Sequence, residues 1–295
     1  MDGSLAAALI EAQFPALAPA RVSTLGEGCD SIAFDVNGEW VFRFPKRDDV
    51  ARQFEMEARI LPALAEQLPV AVPRFRFHGQ PSSKFARSFV GYGKLPGEPA
   101  IRMTPGAVPM DRLVQPLAAF LAALHAFPIA TAAAAGAPAQ RVDEVIAGIQ
   151  AEALGELERV RAVDPSAPVA AWRQFIEAGI NASLHSGRAA LVHNDLAAEH
   201  VLFDPTAQAI TGVIDWSDAV ISDPVVDVAG LLHWGGEPFA RAVLDACDGE
   251  FTDSDFRVAR YIAACRGAMD VAFGLDHGRR EYVIAGLNAL HLCAA

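Results

Sequence analysis

The sequence predicts an α+β fold of two lobes, in which a small antiparallel sheet with one helix precedes a larger, mainly helical lobe. Three observations predict it. Short β-type runs fill residues 20–92, a glycine- and proline-rich segment follows at 91–97, and apolar residues at helical spacing dominate the remainder. The 295 residues suffice for two lobes that share a cleft. We therefore divide the chain into an N-terminal lobe (1–91), a hinge (92–97) and a C-terminal lobe (98–295).

The N-terminal lobe is predicted from four β-type runs and one helix. The runs lie at residues 22–25, 31–36, 40–44 and 85–92. Asn37-Gly38 between the second and third runs is a hairpin signal, because a type I′ turn needs positive φ at both central residues. A helix is expected at 48–67, where one buried face is formed by Val50, Phe54, Ala58 and Leu61.

The C-terminal lobe is predicted to be mainly helical. One stripe at helical spacing consists of Leu113, Leu117, Leu121 and Leu124. Further helices are expected at 142–161, at 172–184 and from about residue 225 onward. Short strands are expected at 190–193, 200–203 and 210–214, the last two joined by a turn at Asp204-Pro205. The alanine-rich residues 130–139 are expected to form an exposed connection.

The composition limits the partners and the compartment. A net charge of −12 argues against nucleic acid or an anionic membrane, since both bind concentrated Lys and Arg. A cationic ligand fits this charge, and solubility alone is the alternative. The four cysteines lack metal-ligand spacing, no basic secretory segment starts the chain, and prolines interrupt its longest apolar stretch. We expect a monomer in a reducing cytoplasm, without nucleic-acid or membrane partners.

The residues that carry chemistry lie in the predicted β region at 190–216. His193-Asn194-Asp195 ends a short apolar run, His200 follows five residues later, and Asp215 ends the run Gly212-Val213-Ile214. A hairpin between the two runs brings Asp195, His200 and Asp215 to one rim. Phosphoryl transfer requires such a group: a carboxylate that orients and deprotonates the attacking hydroxyl, and ligands that hold magnesium against phosphates.

On six motifs the chain resembles the aminoglycoside phosphotransferase family, and within it the aminoglycoside 2''-phosphotransferases, with macrolide kinases as near relatives. The motifs lie at residues 25–31, 42–46, 91–97, 193–195, 212–215 and 222–224, and the resemblance covers most of the chain. It implies a bilobal, protein-kinase-like fold with a nucleotide between the lobes. The segment 1–91 is then the nucleotide-binding lobe, and 98–295 is the catalytic and substrate-binding lobe.

The resemblance also implies roles for the C-terminal site. Asp195 corresponds to the catalytic base, and Asp215 to the residue that chelates magnesium across the β- and γ-phosphates. His200 occupies the place where most kinases have the second metal-side residue, Asn, and either binds the metal or braces the loop. Trp216-Ser217 departs from the commoner Phe-Gly after the metal-binding aspartate.

The smaller lobe carries a predicted nucleotide-covering loop. Gly26 and Gly28 lie between two strands and are followed by Ser31, and the missing side chains let the backbone approach phosphates. The phosphate-binding cation is expected on the next strand, paired with a helix glutamate. Arg43 is the first candidate because its side chain points away from those of its two phenylalanine neighbours. Glu57 is its expected partner.

The assignment of Arg43 and Glu57 has three alternatives, and the hinge adds further predicted nucleotide contacts. Lys46 is the rival cation, Glu55 is the second candidate for its partner, and ordinary surface helix charges are the third reading. At the hinge, Tyr92, Gly93 and Leu95 are expected to contact the nucleobase through backbone groups and ring packing. Backbone contacts of this kind leave ATP and GTP both open as phosphoryl donors.

The sequence therefore predicts a kinase that transfers the γ-phosphoryl group of ATP or GTP, with Mg²⁺, to a hydroxyl of a small cationic acceptor, most naturally an aminoglycoside. The alternatives are a macrolide or another metabolite as acceptor, and a nucleotide-binding protein without catalysis. Acids late in the chain predict the acceptor surface, against the alternative of a solvated helical face. They are Asp218, Asp223, Asp227, Glu237, Asp245, Asp248, Glu250, Asp253, Asp255, Asp270 and Asp276. Among these we single out Asp223 and Glu237, together with the ring of Trp234.

Overall fold

The first lobe of the computed structural model is a five-stranded antiparallel sheet with two helices. The structure describes residues 1–103, 106–180, 187–247 and 251–294. The elements are α1 (Gly3–Gln13), β1 (Val22–Glu27), β2 (Ser31–Val36), β3 (Trp40–Pro45), α2 (Asp48–Gln67), β4 (Phe75–Gly79) and β5 (Phe89–Gly93). The strand order is β1-β2-β3-β5-β4. The predicted antiparallel sheet with a helix at 48–67 is confirmed, and both residues of the Asn37-Gly38 turn have positive φ.

Two elements of this lobe were not predicted. Helix α1 has an apolar face that packs Ala6, Leu9 and Ile10 into the aromatic core of the sheet. Strand β4 alternates partly buried phenylalanines with exposed residues, which was an available period-2 signal. The fourth predicted run, 85–92, was placed too early, because β5 begins at Phe89.

The second lobe is mainly helical, as predicted. Its elements are β6 (Glu98–Pro99), α3 (Met110–His125), α4 (Ile129–Ala135), α5 (Val142–Glu156), α6 (Val169–Ala178), β7 (Ala190–Val192), β8 (Val201–Asp204), β9 (Ala209–Val213), β10 (Val220–Ser222), α7 (Val225–Ala246), α8 (Asp253–His277) and α9 (Arg280–Cys293). Short 3₁₀ turns lie at Ala100–Arg102 and Leu157–Ala162 in this lobe and at Pro15–Leu17 in the first lobe. A large apolar core joins these helices to one face of α2.

Two predictions for this lobe are corrected. Residues 130–139 do not form an exposed connection throughout, because α4 covers part of them and buries Ala132, Ala135 and, just beyond it, Ala137. The helix expected at 142–161 ends at Glu156 and continues as a 3₁₀ turn. Of the helix expected at 172–184, residues 181–184 lie outside the described residues.

The helices were also compared with the length and hydropathy needed to cross a membrane. Among the described residues, no single helix is long and apolar enough, and only α3 and α4 together, bent by 76°, meet the requirement by length and composition.

Two small sheets place the chemistry-bearing residues. Strand β8 pairs with β9 in an antiparallel hairpin and with β6, which follows the hinge. Strand β7 pairs with β10. The chain leaves β7 at His193 and enters β8 after His200, while Asp215 follows β9. The predicted hairpin therefore brings the two segments together.

Helix α7 touches the loop between β7 and β8 through a glycine. A Cβ atom at Gly230 would lie 1.6 Å from the carbonyl oxygen of Leu196, closer than any real contact. The helix backbone and the loop backbone are therefore in direct contact, and this position accepts no side chain without a shift of one of them.

We expect Gly230→Ala to lower the free energy of unfolding by about 2 kcal/mol, because the added methyl group overpacks this contact. The control is Gly148→Ala on the exposed face of α5, where a Cβ atom meets nothing within 4 Å. It should raise stability by up to about 1 kcal/mol through helix propensity. Urea denaturation of both variants checks this, and equal stabilities would contradict the contact.

Candidate active site

The loop at residues 193–200, which we call the Asp195 loop, is held by the helix that follows β10. The two carboxylate oxygens of Asp227 accept hydrogen bonds from the backbone N–H groups of the first two loop residues, at 3.2 and 3.0 Å. Asn194 has a φ of 64°, in the left-handed region, so the bonds hold a conformation that few residues adopt unaided. Asp195 follows it, and its side chain is 39 % exposed.

His200 closes the Asp195 loop. Its Nδ1 donates to the carbonyl oxygen of Asp195 at 2.7 Å, and its Nε2 lies 3.8 Å from Oδ2 of Asp215. Burial disfavours the charged ring, but the carboxylates of Asp195 and Asp215 outweigh it and raise the pKa of His200 to about 9. The imidazole thus braces the loop and stands between the predicted base, Asp195, and the predicted metal ligand, Asp215.

Asp215 is held in a left-handed conformation, with a φ of 61°, directly after β9. Its Oδ1 accepts a hydrogen bond from Nη2 of Arg43 at 2.7 Å. Loss of water around the carboxylate favours the neutral acid, although the side chain keeps 40 % exposure. Arg43 and then His200 overcome this effect and lower the pKa of Asp215 to about 2. The carboxylate is therefore ionised across the physiological range.

Arg43 and Glu57 meet inside the first lobe. Nη1 of Arg43 contacts both carboxylate oxygens of Glu57, at 3.1 and 3.0 Å. The guanidinium also lies over the ring of Phe54, 4.5 Å from its centroid. Arg43 is 5 % exposed and Glu57 is fully buried. A buried charge needs such partners, because an unpaired one would be strongly destabilising.

The two rivals named from the sequence occupy other places. Nζ of Lys46 donates to the carbonyl oxygen of Gly28 at 2.8 Å and pairs with Glu27 at 2.7 Å, so this cation clamps the glycine loop. Glu55 is exposed on the outer face of α2. The contact with Asp215 is made by Arg43 instead.

Ser217 links the two lobes and was missed as a functional residue. Its hydroxyl donates to Oε1 of Glu57 at 2.6 Å and accepts from Nη2 of Arg43 at 2.9 Å. The side chain is buried. Since Ser217 stands where the commoner motif has glycine, the departure from that motif was the available signal.

A cleft of about 970 Å³ lies between the lobes. The predicted nucleotide contacts that line it are Gly26, Gly28, Ser31, Arg43, Tyr92 and Leu95. Asp195, His200 and Asp215 line it as well. Gly93 does not; it pairs with Trp40 inside the sheet. The N–H group of Lys94 donates to the carbonyl oxygen of Glu39 at 2.8 Å, so this hinge donor is already used.

The three residues singled out for the acceptor do not line the cleft. Asp223 is buried and accepts a hydrogen bond from the N–H group of Val225 at 2.9 Å, at the start of α7. Glu237 pairs with Arg241 at 2.7 Å, one helical turn away. Trp234 packs against the large apolar core. Capping, local pairing and packing account for these residues, and the structure does not bring them into the cleft.

Of the other late acids, some line the cleft and others lie outside it. Asp218 and Asp270 line the cleft, whereas Asp253 and Asp276 pair with arginines outside it. Asp248 and Glu250 lie outside the described residues. Burial, followed by Asp195, raises the pKa of Asp218 to about 7. Fewer of these acids therefore line the cleft than their number in the sequence indicates.

Glu199 lines the same cleft and was not predicted. Burial raises the pKa of its carboxyl to about 7, and Asp270 adds to this rise. The only sequence signal is its position directly before His200. From the sequence alone, an acid at this point of a loop is taken for an ordinary surface residue, because only the fold shows that its side chain lines the cleft.

Comparison with known proteins identifies the family. The sequence profile of the phosphotransferase enzyme family matches residues 21–262, well over half of the chain. The chain belongs to this family. Viomycin phosphotransferase of Streptomyces vinaceus is 28 % identical over 181 residues, which are 52 % of this chain and 61 % of that protein. The uncharacterized protein YcbJ of Bacillus subtilis is 26 % identical over 269 residues, 87 % of this chain and 84 % of that one.

Solved structures of kinases share the fold of this phosphotransferase. The GDP complex of wild-type aminoglycoside 2'-phosphotransferase-IIIa has a TM-score of 0.77 at 29 % identity, covering 100 % of this chain and 99 % of that one. Macrolide 2'-phosphotransferase type I has a TM-score of 0.63 at 27 % identity, covering all of both chains. The phosphotransferase described here is therefore a kinase-type enzyme with a nucleotide donor.

Side chains in the cleft fit a magnesium ion. Nδ1 of His200 carries its proton to a carbonyl oxygen, so the neutral ring would present the lone pair of Nε2 toward Asp215. The two atoms are 3.8 Å apart, between the separations of about 3.0 Å and about 4.2 Å that cis and trans ligands of an octahedral Mg²⁺ have, so a side-chain shift of under about 1 Å would let both bind one ion. Oδ1 of Asp215 remains with Arg43, which leaves Oδ2 for the metal.

We expect Ser217→Ala in this phosphotransferase to raise the KM for the nucleotide about tenfold, because Arg43 loses one of the contacts that fix its direction and the buried Glu57 loses a donor. Steady-state kinetics with a saturating acceptor checks this. Ser166→Ala, which removes an exposed hydroxyl outside the cleft, is the control. A wild-type KM in Ser217→Ala would show that the hydroxyl does not position the cation.

Proposed function

We propose that this phosphotransferase transfers the γ-phosphoryl group of ATP or GTP to a hydroxyl of a small cationic acceptor of the aminoglycoside class. One observation carries the proposal: Asp195, His200 and Asp215 meet in the cleft, opposite the glycine loop. A base for the hydroxyl and ligands for a phosphate-bound metal thus face one space. A screen of purified protein with Mg²⁺ and radiolabelled ATP or GTP against antibiotics and metabolites tests it.

Asp195 acts as the base in this proposal. Its exposed carboxylate accepts the proton of the acceptor hydroxyl as the hydroxyl oxygen bonds to the γ-phosphorus and the bond to the leaving nucleoside diphosphate breaks. The hydrogen bond from His200 to the Asp195 carbonyl oxygen fixes the loop, so the carboxylate is already oriented before the acceptor binds. The base touches the acceptor and not the nucleotide.

Asp215 and His200 would hold Mg²⁺, which neutralises charge on the phosphates of the donor. Because the pKa of His200 is raised to about 9, binding a metal at Nε2 would displace a proton from the ring. Arg43 would add a second positive group beside the phosphates. Its buried pairing with Glu57 keeps its direction fixed before the nucleotide arrives.

The first lobe would bind the nucleotide, with residues 1–91 as nucleotide-binding lobe, 92–97 as hinge and 98–295 as catalytic and substrate-binding lobe. The glycine loop, with Ser31, would cover the phosphates, and Tyr92 and Leu95 would pack on the base. Support for a purine nucleotide comes from the related aminoglycoside phosphotransferase, which is a GDP complex. We propose that the protein works as a monomer.

The acceptor assignment is supported by the relatives and by the cleft. A related structure at 29 % identity is a complex of APH(2")-IIIa with GDP and kanamycin. Acidic side chains that line the cleft include Asp30, Glu152, Glu199, Asp218 and Asp270. A macrolide is the second candidate, favoured by the fold shared with macrolide 2'-phosphotransferase type I.

We expect Asp195→Asn to lower kcat about a thousandfold with little change in nucleotide affinity, because the base acts only on the acceptor. Asp215→Asn should weaken Mg²⁺-dependent nucleotide binding as well as turnover. Kinetics and nucleotide titrations with and without Mg²⁺ separate the two roles. The exposed Asp111→Asn is the control. Near wild-type turnover in Asp195→Asn would refute the assignment of the base.

We expect the KM for an aminoglycoside with several amines to rise about tenfold when ionic strength increases from about 0.05 to about 0.5 M, because salt screens the attraction of the acidic protein for an oligocation. A singly charged macrolide should change little. If macrolides are turned over efficiently and no aminoglycoside is, even at low salt, the cationic acceptor is wrong and the kinase assignment remains.

A further inference from the structure

Glu199 has a carboxylate oxygen without a partner in the cleft. Its Oε2 is shielded from solvent and makes no hydrogen bond within the part of the chain that the structure describes. The side chain nevertheless lines the cleft and is partly exposed there. A buried acceptor without a donor is uncommon in native proteins, and it calls for a partner that the protein itself does not supply.

The neighbouring charges are already used. Oδ2 of Asp270 lies 2.9 Å from Nε2 of His233, the distance of an ion pair. Arg266 donates to the carbonyl oxygen of Asn194 at 2.6 Å. Unlike Asp270, Glu199 therefore keeps a shielded carboxylate oxygen that no group in the described part of the chain pairs.

Glu199 also lies beside the proposed base. One carboxylate oxygen of Glu199, one of Asp195 and a ring nitrogen of His200 lie within 4.8 Å of one another. A ligand whose two donors lie close together can therefore donate to both carboxylates at once. A nitrogen and an oxygen on neighbouring carbon atoms meet this requirement, since charge-assisted hydrogen bonds are about 2.7–2.9 Å long.

We propose that Glu199 binds an ammonium group of the acceptor, carried on the carbon next to the hydroxyl that is phosphorylated. The inference rests on the proposed function, because it takes Asp195 as the base. It narrows the acceptor from a cation in general to a vicinal amino alcohol. Glu199 is then a specificity residue that binds the ammonium group beside the reacting hydroxyl oxygen.

A metal ion is the competing occupant of the same three side chains. Nδ1 of His200 is committed to the Asp195 carbonyl oxygen, and Nε2 faces Asp215 instead. Nδ1, the nitrogen 3.4 Å from Oδ2 of Asp195, is thus already bonded and offers no lone pair to a metal between Asp195 and Glu199. An ammonium group requires no nitrogen ligand and donates directly to carboxylate oxygens, so the contacts favour it.

The test compares two sugars that differ in one group. Glucosamine carries an ammonium group next to hydroxyls, and glucose has a hydroxyl in its place. Their binding to the full chain with Mg²⁺ and a non-hydrolysable ATP or GTP analogue is measured by NMR titration. We expect the wild type to bind glucosamine about tenfold more tightly than glucose, as a charge-assisted contact predicts.

The variants assign that preference to Glu199. Glu199→Gln keeps the shape and should bind both sugars equally, whereas Glu199→Asp keeps the charge and should retain a preference for glucosamine. Glu66→Gln removes an exposed charge on α2, outside the cleft, and should keep the full preference. Thermal unfolding of each variant verifies that it is folded.

Three results would overturn the inference. One is a wild type that does not prefer glucosamine, and another is a Glu199→Gln variant that keeps the preference. The third is the loss of one bound Mn²⁺ in Glu199→Gln, counted by electron paramagnetic resonance, which would assign the cluster to a metal. Turnover of nucleotide with kanamycin is measured separately. If nucleotide is turned over but glucosamine is not preferred over glucose, the kinase assignment stands and the Glu199 subsite is rejected. If glucosamine is preferred but nucleotide is not turned over, the subsite stands and the kinase assignment is rejected.

Discussion

The contact between Arg43 and Asp215 is the interaction on which the site depends. It joins a strand of the first lobe to the loop after β9 in the second, at 2.7 Å. Glu57, Ser217 and the ring of Phe54 surround the same guanidinium. Such a buried group is stable only while its partners are present, since removing one leaves an uncompensated charge. The relative position of the lobes is thereby tied to the position of the Asp215 carboxylate, and the cleft between them acquires a defined width.

The backbone of the second lobe meets a comparable constraint. Asn194 and Asp215 both adopt left-handed φ values next to the residues that would react. Conformations of this kind cost roughly 1–3 kcal/mol each and persist only where the surroundings fix them. Asp227 and Arg266 bind the backbone on either side of Asn194, and Gly230 allows α7 to touch the same loop. These contacts from the helical lobe thus fix the orientation of the Asp195 carboxylate. A fixed orientation fits the proposed role of Asp195 as a base, because a base must meet the hydroxyl at one point.

The sequence was sufficient for the fold and for most of the cleft, because both depend on local signals. Hydrophobic spacing located the helices, Asn37-Gly38 located a hairpin, and two short motifs around one turn located Asp195 and Asp215. What it could not supply are properties of side chains that meet only after folding. Ser217 looks like a loop hydroxyl until it lies between the charges of two lobes. The late acids looked like one surface, but most of those the structure describes are paired locally or cap helices.

Because most of the late acids are paired locally, the total negative charge does not by itself explain which acceptor would be selected. An acidic protein attracts any oligocation over a distance, so steering raises the encounter rate without selecting a particular molecule. Selection requires a charge that is unsatisfied in the empty protein and sits where only one arrangement of donors can reach it. Asp270 fails this condition because His233 already faces it, whereas Glu199 meets it next to Asp195. The net charge of −12 would attract a cation over a distance. In the proposed function Glu199 would select the acceptor, because its distance from Asp195 limits how far apart the amine and the hydroxyl of the acceptor can be.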